Sequence, residues 1–171
     1  VVPDDIAGLA KPVVGFYGNI REWIDFELIE NLARRLSAWS FVLIGQVYAD
    51  ISRFRAVPNV HFPGRREHPM LPGYCRGFDA AMIPYDMKDP RMETVNPVKT
   101  KELLAAGVPV VASQVPELAA LGNPDIILCA TTEEWVMALQ KQVARKDRKD
   151  ISLRVRDEDW SAKIQRMREI V

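Results

Sequence analysis

Short apolar runs alternate along this chain with longer stretches in which apolar residues return every three or four positions. Val13-Val14-Gly15-Phe16-Tyr17 is β-branched or aromatic almost throughout and closes at Gly18, the pattern of a buried strand. From Trp23 to Leu36, Ile24, Leu28, Leu32 and Leu36 recur at helical spacing, and Phe26, Ile29 and Ala33 widen the stripe, which predicts an amphipathic helix. Phe41–Gly45 predicts a second strand, and Val60-His61-Phe62, closed by Pro63-Gly64, a third. Glu67–Arg76 predicts a helix that Pro69 and Pro72 keep short. Ala80–Pro84 predicts a fourth strand. The polar stretch Asp86–Glu93 then predicts a mobile loop. Pro97–Ala106 predicts a helix that starts on proline and ends at Gly107. Val108–Ala112 and Ile126–Leu128 predict two more strands, and Glu133–Val143 a helix. A last helix from Asp159 would carry Trp160, Ile164, Met167 and Ile170.

Strands that alternate with helices and lack polar alternation of their own are buried on both faces. The expected fold is therefore α/β: a Rossmann-like, doubly wound parallel sheet of about six strands with helices on both faces. The 171 residues fit one domain, with 1–11 as linker remnant, 12–150 as core and 151–171 as C-terminal helix. The opening Val1-Val2-Pro3-Asp4-Asp5 has neither an initiator Met nor a signal-peptide pattern and reads as part of a longer protein.

Composition narrows the chemistry. Lys plus Arg and Asp plus Glu number 23 each, so no net field collects nucleic acid, and any anion site must be local. Two cysteines, Cys75 and Cys129, and two histidines, His61 and His68, fall short of a structural zinc set, and no metal or other cofactor is expected. The low cysteine content suits a reducing, cytoplasmic setting. No apolar run reaches the roughly 20 residues needed to span a bilayer. Trp23, Trp39, Trp135 and Trp160 read as packing groups, His61 as a strand residue, and the basic run from Lys141 to Lys149 as a solvated helix end.

In open α/β sheets, ligands sit outside the carboxyl ends of the strands. The residues just past the strands here are Gly18-Asn19-Ile20-Arg21, Gly45-Gln46, Gly64-Arg65-Arg66, and Asn96-Pro97-Val98-Lys99. Glycines let backbone approach a phosphate, and free N–H groups at a helix start favour negative charge. Lys99 in a first helical turn opposes the dipole, which makes sense if it reaches an anion; the plain alternative is a solvated lysine. Glu102, three residues on, could accept hydrogen bonds from the two hydroxyls of a ribose, or could merely pair with Lys99. The dinucleotide fingerprint, the P-loop and the nucleophile elbow are all absent.

The stretch NPVKTKELLAAGVPVVA closely resembles the signature of the retaining, family-four type of GT-B glycosyltransferases. GFYGNIREWIDFELIENLARR and NVHFPGRREHPMLPGYCRGFDAAMIPY resemble two further blocks of that family, in the right order. The resemblance implies the C-terminal half of a GT-B fold, binding a nucleoside-diphosphate sugar, with an N-terminal acceptor domain elsewhere. It implies that Glu102 holds the ribose, that Asn96, Pro97 and Val98 face the diphosphate and sugar, and that Lys99 is a phosphate lysine. Gly18 would lie under the phosphates, with Asn19 and Gly45 beside it, and Arg65 near the nucleobase.

Two departures stand out. Relatives often carry E-x7-E ending at the position of Glu102; here Thr94 occupies the first place, with Glu93 one residue off. Relatives also carry a basic pair after the first strand, where this chain has Arg21 alone. The expected activity is sugar transfer to an acceptor hydroxyl in polysaccharide or glycoconjugate synthesis, with Lys99 and Arg21 stabilising the leaving diphosphate. A lipid-linked acceptor would put such an enzyme at the inner-membrane surface. A non-catalytic nucleotide-sugar module and a donor-cleaving epimerase remain as rivals.

Overall fold

The computed structural model describes residues 1–155. Six parallel strands form one sheet in the order β3-β2-β1-β4-β5-β6: β1 Val13–Tyr17, β2 Ser40–Ile44, β3 Val60–Gly64, β4 Ala80–Ile83, β5 Val110–Ser113 and β6 Ile126–Cys129. The four inner strands are buried along their whole length, as their unbroken apolar runs require, whereas the edge strands β3 and β6 are only partly covered. Strand order reverses at β1, where Val14 pairs with Phe41 on one side and Ala80 on the other.

The helices are α1 Asp4–Ala7, α2 Phe26–Arg35, α3 Leu71–Gly77, α4 Lys99–Ala105, α5 Pro116–Leu121, α6 Thr132–Val143 and α7 Arg148–Arg154. The β1–α2–β2 and β4–α4–β5 crossovers run in opposite directions along the sheet. Right-handed connection therefore puts α2 and α4 on opposite faces. Helix α6 packs beside α2, and α7 beside α4.

Several boundaries move for identifiable reasons. Helix α2 starts at Phe26, not Trp23, because the Asp25 carboxylate accepts from Leu28 N at 2.8 Å and caps it. Trp23 and Ile24 lie before that cap, and Ile24 makes a bridge to Tyr85. Strand β5 starts at Val110 because Pro109 has no N–H to give, although its carbonyl still accepts from Ala81 N at 2.9 Å. The stretch 1–11, expected as linker, is packed: Ile6 of α1 is 2% exposed and the Asp5 carboxylate accepts from the Tyr74 hydroxyl at 2.7 Å and Arg66 at 2.8 Å. The stretch expected as a polar loop ends in a 3₁₀ turn, Pro90–Glu93, anchored by buried Met92. The basic run is not merely solvated. Arg145 donates to buried Asp125 at 2.7 Å, and Arg148 donates to the carbonyls of Phe78 and Cys75, fastening α7 to the fold. The expected helix carrying Trp160, Ile164, Met167 and Ile170 lies outside the described residues.

Candidate functional site

The candidate site lies past the ends of β1 and β2, beside the switch point between β1 and β4. Gly18 has φ of 142° and Gly45 φ of 153°. A Cβ on Gly45 would fall 1.8 Å from the Gly18 carbonyl oxygen, so the two glycines pack back to back and neither strand end can carry a side chain there. The same loops are laced by backbone bonds: Gly18 N to Ile44 O at 2.9 Å, Ile20 N to Gln46 O at 2.9 Å, and Gly45 N to Gly64 O at 3.1 Å.

The Lys99 side chain runs up from α4 to this cradle. Its ammonium lies 2.4 Å from where a Cβ on Gly18 would sit, which is the space glycine keeps open. It also lies 4.6 Å from the ring centre of Phe16 and 5.7 Å from that of Tyr85. Among the described residues no oxygen hydrogen-bonds it. Burial pushes its pKa down to about 8, and the Glu102 charge opposes that shift. The plain reading of a solvated lysine therefore fails for Lys99.

Glu102 projects from the next turn of α4. Its Oε2 accepts from the Tyr17 hydroxyl at 2.7 Å, and its Oε1 lies 3.4 Å from His68 Nε2. It makes no hydrogen bond with Lys99. Burial first, and then the neighbouring Glu102 carboxylate, hold the Tyr17 phenol well above its ordinary pKa, so it stays a donor.

Two cavities meet at Tyr17 and Leu71. One, about 210 Å³, is lined by Gly18, Asn19, Gly45, Gln46, Tyr48 and Arg65 among others. The other, about 360 Å³, is lined by His68, Pro72, Cys75 and Glu102, with Ala105 and Ala106 behind. A wider cleft of about 640 Å³ lies between the starts of α2 and α6 and contains none of these residues. We place the site at the glycines, where the Lys99 ammonium and closely packed strand-end backbone converge, and not in the larger cleft.

Gly18, Asn19, Gly45, Arg65, Lys99 and Glu102 thus come together as the sequence predicts. Arg21 does not line either cavity; its guanidinium lies 4.0 Å over the Tyr48 ring and 5.4 Å from Trp23, at the rim. Glu93, Thr94, Asn96 and Val98 are exposed on the approach to α4 and line neither cavity, while Pro97 is buried. Neither Glu93 nor Thr94 is turned toward Glu102 by a hydrogen bond. Sequence reasoning missed Tyr17, His68 and Tyr48. A phenol ending a strand immediately before the loop glycine was the available signal for Tyr17. No group of three or more His, Cys, Asp and Glu able to hold a metal occurs among the described residues.

The sequence model of a family described as "Glycosyl transferases group 1" matches residues 11–145. The chain belongs to this family. Among curated proteins, this group 1 domain is 32% identical over 116 residues to the putative teichuronic acid biosynthesis glycosyltransferase TuaH of Bacillus subtilis (strain 168). That match covers 66% of the chain and 29% of TuaH, so the chain spans under a third of its relative. Solved structures share the fold. Sucrose-phosphate synthase from Thermosynechococcus elongatus superposes with a TM-score of 0.70 at 18% identity, over 93% of this chain and 44% of that one. Anabaena HepE, solved in complex with UDP and glucose, gives 0.61 at 17% identity, over 90% of this chain and 48% of that one. The group 1 domain thus has the Rossmann-like half of a GT-B architecture. Among the described residues, none of its helices is long and apolar enough to cross a membrane.

Proposed function

We propose that this group 1 domain is the donor half of a glycosyltransferase and holds a nucleoside-diphosphate sugar at the Gly18–Gly45 cradle. The observation that carries this reading is the Lys99 ammonium, largely buried against two rings beside Gly18 and, among the described residues, without an anionic hydrogen-bond partner. A desolvated cation beside backbone held close by glycines is suited to a diphosphate. Glu102 accepts the ribose hydroxyls, Arg65 and the smaller cavity take the base side, and Asn96, Pro97 and Val98 border the sugar. HepE binding UDP and glucose supports a nucleotide-sugar ligand.

In the transfer, the sugar leaves its diphosphate for an acceptor hydroxyl. Negative charge grows on the leaving group, and Lys99, with Arg21 from the rim, stabilises it. Loss of one well-placed donor of this kind lowers rate about 10²–10³-fold. The acceptor is held by a separate N-terminal domain and is a growing polysaccharide or glycoconjugate, lipid-linked at the inner face of the cytoplasmic membrane. No metal is required. The name of the TuaH relative supports a polymer-building role.

Calorimetric titration with UDP, GDP, ADP and dTDP tests the reading. One nucleotide should bind with micromolar to millimolar affinity, and Lys99→Ala and Glu102→Ala should each weaken that binding about tenfold or more. Binding unchanged in both variants would sink the assignment. A second reading, a nucleotide-sugar module without catalysis, is favoured by Thr94 standing where relatives have a glutamate. A full-length protein that binds donor yet neither transfers nor hydrolyses it would select that reading.

A further inference from the structure

Glu102 is a carboxylate at the end of a flexible side chain, 44% exposed, and something must fix its direction before it can receive a diol. Its two neighbours differ greatly in firmness. His68 is 79% exposed and stands at 3.4 Å, too long and too free to hold it. The Tyr17 hydroxyl stands at 2.7 Å and belongs to a residue only 7% exposed. Tyr17 is rigid for reasons of the fold: it ends β1, its backbone is in register with Ile44, and its ring is the wall on which the two cavities meet.

We infer that Tyr17 is a positioning residue: its hydroxyl orients the Glu102 carboxylate toward the ribose and so sets a preference for ribonucleotides over 2′-deoxyribonucleotides. The inference rests on the donor-site reading above. An ionised carboxylate offers about four acceptor positions. Tyr17 occupies one on Oε2, which leaves Oε1 and the remaining Oε2 position for two adjacent hydroxyls. The exposed His68 is displaced from Oε1 when the ribose arrives. A ligand without the 2′-hydroxyl leaves one of these positions unused, and a hydrogen bond to a charged group is worth about 1.5–3 kcal/mol, roughly 10- to 100-fold. Without the Tyr17 hydroxyl the carboxylate samples other rotamers, and the advantage of the extra hydroxyl shrinks.

The alternative role is structural, with the same bond merely tying β1 to α4. A structural tie would affect both classes of nucleotide alike. The test therefore reads a ratio. UDP, GDP and ADP are titrated calorimetrically, each beside its 2′-deoxy counterpart, into the wild-type chain, Tyr17→Phe, Glu102→Ala and the double variant. The wild type should favour the bound ribonucleotide about tenfold or more over its 2′-deoxy form. Tyr17→Phe should bring that ratio within about threefold while barely changing 2′-deoxy binding. In the Glu102→Ala background, Tyr17→Phe should change nothing further. A wild-type ratio retained in Tyr17→Phe, or equal weakening of both nucleotides, overturns the inference and leaves the donor site standing. Wild-type binding without ribose preference does the same. If the wild type binds none of the six nucleotides, the donor-site reading falls, and the inference with it. Should Tyr17→Phe not melt cooperatively, the ratio is read on Glu102→Asp, whose carboxylate falls a methylene short of the Tyr17 hydroxyl. Collapse of the ratio supports the inference, and a wild-type ratio there overturns it.

Discussion

The two sides of the crevice are built differently. On the cradle side, Gly18, Gly45 and Tyr17 sit at the ends of buried strands, held by backbone bonds that cross between loops. On the far side, Glu93, Thr94, Asn96 and Val98 ride on a short exposed connection, anchored below by Met92 and outside by ion pairs of Arg91 with Glu22 and Asp89. With the Arg91 side chain 53% exposed, such pairs contribute little. On the donor-site reading, the contrast would separate two tasks: the part of the ligand common to many donors would meet the scaffold, and the part that varies a loop that can change without disturbing the sheet.

The sharpest way to break this comparison is a methyl group on each side. Gly45→Ala would force a carbon into the Gly18 carbonyl at an unfavourable φ and should destabilise the domain by about 3 kcal/mol or more, read by urea unfolding. Thr94→Ala on the far side should stay within about 0.5 kcal/mol in the same melt. Equal losses would show that both sides are scaffold.

Next in size is Lys99→Met. It removes a cation that burial disfavours and keeps the apolar stem, so the ligand-free domain should melt at the same or a higher temperature. Stabilisation by added nucleoside diphosphate should fall by about tenfold or more in apparent affinity. A lower melting temperature with nucleotide binding intact would make Lys99 structural.

The pH dependence follows with its sign. The folded pKa of Lys99 is lowered from 10.5 to about 8, so between those values the unfolded chain holds a proton that the folded chain has lost. This group therefore makes the free domain more stable as pH rises across that window. Ligand affinity moves the opposite way: a diphosphate needs the ammonium, so binding should weaken above about pH 8, approaching tenfold per unit. Titrations at pH 7, 8 and 9 would show it, and a flat profile would remove the Lys99 charge from the site. The smallest effect is expected from Arg91→Ala: no resolvable shift of the urea midpoint, since Arg91 and Glu22 are both exposed and solvent screens the pairs. A larger loss would mean that the loop is braced like the cradle.

The fold was readable because two-sided burial leaves unbroken apolar runs, and β1, β2 and β4 carry them. Helix starts were less readable: apolar spacing alone places Trp23 in α2, while the Asp25 carboxylate decides the boundary. The gathering of Gly18, Gly45 and Arg65 at one edge was readable because strand ends define an edge and glycine marks a close approach, whereas Glu102 stood out by its helical spacing from Lys99 and by the family resemblance. Tyr17 reaching Glu102 was not readable, because that contact joins residues 85 positions apart, and a strand-end aromatic looks like core until α4 is placed over it. The stacking of Arg21 on Tyr48 was hidden for the same reason, since it brings two loops together.

The interlocked glycines have a consequence for the timing of exchange with solvent. Gly18 N and Ile20 N are bonded across to the second strand's exit, at Ile44 and Gln46, so each amide is released only when the pairing of the two exits breaks. Deuterium should enter these two positions only when the first and second strands part, at the slow rate of the sheet itself. On the donor-site reading, a ligand would then find this backbone already in place wherever the sheet is paired.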